Sequence, residues 1–174
     1  MRSAGCVIND YADRDFDPSV ARTHDRPLAA KRVAPEEALF LFVTLGLVAV
    51  WLAMQLDPLA RLYAVGGGVL TVTYPWLKRL VHVPQFYLGV AFGWSIPMAF
   101  AAITGEAPRI AWLLVTAVVL WAAVYDTMYA MVDRKDDERV GIKSTAILFG
   151  EADRLIIAVM QGMALFALWL AGDE

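Results

Sequence analysis

Two short stretches of this chain carry carboxylates at a spacing suited to holding a cation. The first runs Asn9-Asp10-Tyr11-Ala12-Asp13-Arg14-Asp15-Phe16-Asp17. Asn9, Asp13 and Asp17 are four apart, so on a helix they share one face with Asp10 beside them. In the second, Asp126, Tyr129, Asp133 and Asp137 fall at i, i+3, i+7 and i+11, again one helical stripe. Like charges at that spacing repel and oppose the helix, so something positive must offset them. Oxygen donors without His or Cys favour a hard ion, Mg²⁺ or Ca²⁺. Mg²⁺ takes few carboxylates and completes its shell with water and phosphate oxygens, which suits a diphosphate substrate. Arg22 and Arg26, just after the first stripe, are suited to the remaining phosphate oxygens. Asp15, Asp136 and Glu138 read as solvated neighbours. His24 and His82 have no part in such chemistry.

The elements that must position these acids are membrane helices. The chain has 174 residues, 59% hydrophobic and 19% charged, against roughly half and a quarter in soluble domains. Ala38 to Leu56 and Val83 to Ile103 contain no charge. Runs of about 18 or more apolar residues span a bilayer core about 30 Å thick. We expect an all-α transmembrane bundle of five spans, near 35–56, 59–77, 84–103, 110–131 and 154–171, within one domain. Residues 3–8 read as the last turns of an earlier span. Pro75 and Pro97 are expected to kink their spans, and Gly66-Gly67-Gly68 to allow close helix contact. Cys6 is the only cysteine; no internal disulfide is possible, and it reads as a small packing residue. No cleavable signal peptide is visible, since the run Ala4 to Ile8 is too short for an apolar leader core.

Charge is arranged by side. Residues 9–34 hold Arg14, Arg22, Arg26, Lys31 and Arg32, and residues 132–154 hold Arg134, Lys135, Arg139, Lys143 and Arg154. Lys78 and Arg79 mark the loop between them on the same side, whereas the alternate loops carry only Arg61 and Arg109. The positive-inside rule puts the basic loops, and with them both acid stripes, in the cytoplasm. A lone acidic loop is usually just solvated. Two with matching periodicity on one face are much harder to dismiss. An ion transporter would place its acids deeper in the spans.

These segments resemble the UbiA superfamily of intramembrane aromatic prenyltransferases. Asn9, Asp10, Asp13 and Asp17 fit that family's NDxxDxxxD motif. Asp126, Tyr129, Asp133 and Asp137 fit its DxxYxxxDxxxD motif. The string from Tyr125 to Gly150, YDTMYAMVDRKDDERVGIKSTAILFG, is similar to the 4-hydroxybenzoate branch. The resemblance implies a nine-span bundle in a bacterial inner membrane, its site open to the cytoplasm. The motif residues Asn9, Asp10, Asp13, Asp17, Asp126, Asp133 and Asp137 would bind Mg²⁺ bridging to a polyprenyl diphosphate. Asp13, Asp17, Asp126 and Asp133 are then the catalytic candidates. Asn9, Arg22, Arg26, Tyr74, Lys78 and Tyr129 are the substrate-binding ones. Lys143 is either part of that set or a positive-inside anchor.

The implied reaction is transfer of the polyprenyl group to the carbon ortho to the hydroxyl of 4-hydroxybenzoate, in ubiquinone synthesis. The partners are the two substrates and the bilayer, with no nucleic acid and no protein. Set against that family, the chain is expected to hold the end of span two and spans three to seven, truncated at both ends. The alternatives are another aromatic acceptor, an inactive fragment, or an ion-binding transporter.

Overall fold

Prolines open three of the long helices, at the first position, where the missing N–H has no partner to lose. A computed structural model of the chain describes residues 1–77, 80–81, 83–141 and 143–174, and only the backbone at 136–138 and 140. Its helices are α1 (Arg2–Asp13), α2 (Pro35–Ala53), α3 (Pro58–Leu77), α4 (Pro84–Gly93), α5 (Ser95–Thr104), α6 (Arg109–Val140), α7 (Thr145–Phe149) and α8 (Asp153–Gly172). Single 3₁₀ turns lie at Asp17–Ser19 and Gly150–Ala152. No strand occurs among the described residues, and the fold is all-α, as expected.

Local chemistry explains the ends. Pro35 starts α2, and Glu37 Oε2 accepts a hydrogen bond from the Ala34 N–H at 2.8 Å. That satisfies one of the first turn's spare donors. The span expected over 84–103, with a kink from Pro97, is two helices meeting at Trp94. Pro97 explains the break: its ring would collide with the Gly93 carbonyl four residues back. By contrast, α3 continues through Pro75. Gly105 ends α5 at φ 78°, a left-handed conformation that only glycine adopts without strain.

The long α6 is the spine, packed by α4 on one side and α8 on another. Its 32 residues reach about 48 Å. That exceeds a bilayer core, so its last turns project beyond the apolar layer. Leu120, Ala123 and Val124 of α6 meet Ile157, Met160 and Ala164 of α8 in the main apolar cluster. Against α4 the approach is closer still: a Cβ on Gly89 would lie 2.7 Å from the Val119 carbonyl oxygen. Gly66 and Gly67 press on the Trp94 ring, whose Nε1 donates to the Tyr63 carbonyl at 2.8 Å. Gly68 faces nothing within 4 Å. Two of the three expected contact glycines therefore serve that purpose.

In α1 the buried apolar positions are Ala4, Ile8 and Ala12, which repeat every four residues. Cys6 lies about 200° round the helix from Ala4. It is exposed, not packed as expected.

The outward faces are apolar: Phe40, Leu47, Trp51, Leu165, Phe166 and Trp169 are all exposed. Such a surface suits hydrocarbon as its solvent. Four segments are long and apolar enough to cross a membrane: Pro35–Ala53, Pro84–Thr104, Arg109–Lys135 and Thr145–Gly172. The 20-residue α3 is not among them.

Candidate functional site

The first acidic stretch folds differently from a single helical stripe. Asn9, Asp10 and Asp13 lie on α1, which ends at Asp13; Asp17 opens the following 3₁₀ turn. Pro18 is the local cause: it has no N–H to bond the Arg14 carbonyl four residues back, and its ring crowds that carbonyl. The break turns the chain back over the acids. Thr23 Oγ1 donates to the Asp17 carbonyl at 3.1 Å, and Arg26 arrives on top. Its Nη1 lies 3.0 Å from Asp10 Oδ1 and 3.1 Å from Asp17 Oδ2. Asp13 is 1% exposed and Asp17 7%. Carboxylates buried that deeply need compensation, and the guanidinium at Asp10 and Asp17 supplies part of it.

The second stretch is a continuous helix, as expected: α6 carries Asp126, Tyr129 and Asp133 along one stripe. Arg22 joins the two motifs. It donates from Nε and Nη2 to Asp133 Oδ2, at 2.9 and 2.7 Å. Its guanidinium carbon also lies 5.6 Å from the centre of the Tyr129 ring, within cation–π range. The hydrogen bonds to Asp133 hold the Arg22 pKa above its ordinary value, so it is a permanent cation.

These groups surround one cavity of about 350 Å³, within the usual range for small-molecule sites. One wall is Asn9, Asp13 and Asp17; another is Asp126, Tyr129 and Asp133, with Arg22 and Arg26 between them and Tyr74 alongside. Asp10 reaches the site through Arg26. Lys78 and the side chain of Asp137 lie outside the described residues. His24 does not line the cavity; its Nδ1 is bonded to the Ala21 carbonyl at the surface.

Among the described residues, no three His, Cys, Asp or Glu side chains converge as a ready metal cage. The donor chemistry nonetheless fits Mg²⁺. All donors are oxygens, and that ion uses one or two carboxylates plus substrate phosphates instead of an all-protein shell. The two arginines occupy the space between the acids instead.

A family model described as the UbiA prenyltransferase family matches residues 1–173. The chain belongs to that family. It is 59% identical over 172 residues to a 4-hydroxybenzoate octaprenyltransferase of Nitrosococcus oceani, covering 99% of this chain and 60% of the relative. It is 57% identical over 174 residues to one of Alcanivorax borkumensis, covering 100% and 60%. The chain thus spans about three fifths of the curated relatives it matches. Among solved structures, it is similar to the apo form of a UbiA homolog from Aeropyrum pernix K1. The TM-score is 0.86 at 31% identity, covering 95% of this chain and 64% of that one. With its four apolar helices, this UbiA-family chain is a multi-pass membrane protein.

The UbiA motifs account for one side of the cavity. The other side is built from residues the motif reading passed over. Gln85, at the start of α4, and Ser144, just before α7, both line the cavity and are 4% and 3% exposed. Thr127 Oγ1 donates to the Ala123 carbonyl at 2.6 Å and lies 2.6 Å from Thr145 Oγ1. Thr145 N–H donates to Gln85 Oε1 at 3.2 Å. This buried chain of bonds ties α4, α6 and the start of α7 together. Tyr125 was missed as well; its hydroxyl donates to Tyr129 Oη at 3.2 Å, bracing the ring beneath Arg22. The one legible signal was Gln85 itself, the single amide side chain in the charge-free stretch 83–103.

Proposed function

We propose that this protein transfers a polyprenyl group from polyprenyl diphosphate to 4-hydroxybenzoate, at the ring carbon ortho to the hydroxyl, as an early step of ubiquinone synthesis. The observation that carries the reading is the joining of both acid motifs around one cavity by Arg22 and Arg26. Relatives named 4-hydroxybenzoate octaprenyltransferase support the choice of acceptor.

Mg²⁺, held by oxygen donors drawn from Asn9, Asp10, Asp13, Asp17, Asp126, Asp133 and Asp137, would supply electrostatic stabilisation of the departing diphosphate. Arg22 and Arg26 turn from the carboxylates toward the phosphate oxygens and offset the charge that builds there. Tyr74 and Lys78 hold the same end of the donor. Tyr129 keeps Arg22 in place from below. The allylic C–O bond breaks and diphosphate leaves with the electron pair. The ortho carbon of the phenol supplies the electrons of the new C–C bond. Loss of the proton from that carbon restores the aromatic ring. An aspartate of the two motifs polarises the phenol or accepts the proton. The surrounding apolar bundle keeps water from the reactive allyl group.

The arrangement in the bilayer follows from the same reading. It has five spans, α3 included, in a bacterial inner membrane, with the cavity at the cytoplasmic ends of the helices.

The test is transfer of labelled prenyl diphosphate in membranes carrying the wild type, Asp13→Asn or Asp133→Asn, with Mg²⁺ and after chelation. Loss in both variants and on chelation is expected. Near-wild-type turnover in both sinks the assignment, and a naphthoate or homogentisate outcompeting 4-hydroxybenzoate in an acceptor panel replaces the acceptor.

A further inference from the structure

The cavity has two chemically opposite sides. One presents carboxylates, offset by arginines that are themselves engaged. The other presents donors. Gln85 is the clearest. Its Oε1 must be the atom facing Thr145 N–H, because that backbone group can only donate. The amide is therefore fixed, and its NH₂ is what Gln85 presents to the cavity it lines.

Ser144 follows the same logic. Its Oγ accepts from the Ile147 N–H at 3.4 Å, which leaves the hydroxyl proton to donate. Lys143, next in the chain, also lines the cavity. The hydrogen bond described for its Nζ is a long one, 3.4 Å, to the Leu80 carbonyl. An ammonium has three donors, so this bond leaves it donors to spare. Arg22 and Arg26 pair with carboxylates, whereas the described bond of Lys143 goes to a neutral carbonyl.

An amide NH₂, a hydroxyl and an ammonium on one wall make a site for a small anion. We propose that Gln85, Ser144 and Lys143 form the subsite for the carboxylate of the aromatic acceptor. The inference rests on the acceptor being a hydroxybenzoate, as argued above. It explains how an anionic acceptor enters a cavity whose other walls carry aspartates: its charge is taken on the donor side. The carboxylate is para to the hydroxyl. Anchoring it at Gln85 turns the phenol end, with the carbon that reacts, toward the walls that hold the diphosphate. The buried Thr127–Thr145–Gln85 chain of bonds sets the donors rigidly, which is what orientation of a small ring demands.

The test uses Gln85→Glu, Ser144→Ala and Lys143→Met in membranes. Gln85→Glu retains an oxygen for Thr145 N–H and replaces the donor with a charge, so it probes recognition with little change in shape. Each variant is expected to raise the KM for 4-hydroxybenzoate about tenfold or more, the scale of one lost bond to a charged group. The KM for the prenyl diphosphate should stay within about twofold, and transfer to the methyl ester should fall no further than in the wild type. A rise in the donor KM instead assigns these residues to the diphosphate and overturns the proposal. So does an equal loss on the ester. Binding of labelled 4-hydroxybenzoate without turnover separates this from the reaction itself. Binding to the wild type that survives in Gln85→Glu overturns the subsite alone. No binding to the wild type overturns the acceptor reading with it. Thermal unfolding of each variant in detergent, expected within a few degrees of wild type, excludes misfolding as the cause.

Discussion

Arg22 and Asp133, 111 positions apart in sequence, meet through two hydrogen bonds to a single carboxylate oxygen, at 2.7 and 2.9 Å. That contact closes the loop after the first motif onto the helix that carries the second. Asp133 is 11% exposed in its side chain and Arg22 48%. A half-exposed arginine contributes little to stability, on the order of 1 kcal/mol or less. Its value lies in being a charge held at the rim of the cavity.

Arg22→Ala is accordingly expected to leave the detergent melting temperature nearly unchanged and to slow prenyl transfer by about 10- to 100-fold, the scale of one charge-assisted contact to the transition state. Steady-state kinetics in membranes, alongside a melting curve, checks both halves. A large loss of stability with normal turnover would reverse the assignment.

Arg26 occupies two of the acids proposed to hold the metal. Its Nη1 is shared between Asp10 and Asp17. Removing the cation should strengthen the pull of these acids on a divalent ion while weakening the hold on diphosphate. For Arg26→Gln, Mn²⁺ binding in the absence of diphosphate is expected to tighten, and binding of prenyl diphosphate to weaken. Electron paramagnetic resonance titration of Mn²⁺ reads the first change and equilibrium binding the second. Unchanged or weaker Mn²⁺ binding would show that the arginine does not compete.

The Thr127–Thr145 contact is buried on both sides, each residue being 0% exposed. Thr127→Val keeps the shape but strands the Thr145 hydroxyl. The expected cost is about 1–3 kcal/mol, together with a raised KM for the aromatic acceptor as the Thr145 backbone that holds Gln85 loosens. Thr127→Ser should restore both. Recovery of stability without recovery of KM in the serine variant would separate the network from acceptor positioning.

Gly89 is where backbone meets backbone. Because a Cβ there would lie 2.7 Å from the Val119 carbonyl oxygen and 2.8 Å from its Cα, α4 and α6 must part to admit any side chain. Gly89→Val is expected to destabilise the bundle by about 1–3 kcal/mol, an overpacking effect. Gly68→Ala, with nothing within 4 Å, should be nearly silent. Thermal unfolding in detergent compares the two. A silent Gly89→Val would mean the helices do not pack this closely.

Much of this protein was legible in its residues, for a physical reason. Charge-free runs such as 38–56 match the thickness of a bilayer core and are too many for a chain of this size to bury in a soluble fold, so the all-α membrane class is legible from composition. Helical period put Asp126, Tyr129 and Asp133 on one stripe because α6 is uninterrupted there. The same period failed at Asp17. Pro18 ends the regularity, and Asp17 is returned to the site by a turn and not by a helix face. Pro97 was legible as well: it parts α4 from α5, as the expected kink requires, within one segment long enough to cross a membrane.

What only the tertiary structure decided is which groups face each other. That Arg22 bonds Asp133, and that Arg26 sits between Asp10 and Asp17, depends on the chain folding back after Asp17. The donor wall has no periodic spacing of its own: Gln85 comes from α4 and the adjacent Lys143 and Ser144 from just before α7, aligned by a buried hydroxyl and a single backbone N–H. Sequence periodicity reports contacts within one helix. The carboxylate stripes are of that kind and could be read directly. The donors opposite them are not, because their geometry exists only once α4 and α6 have packed against each other at Gly89.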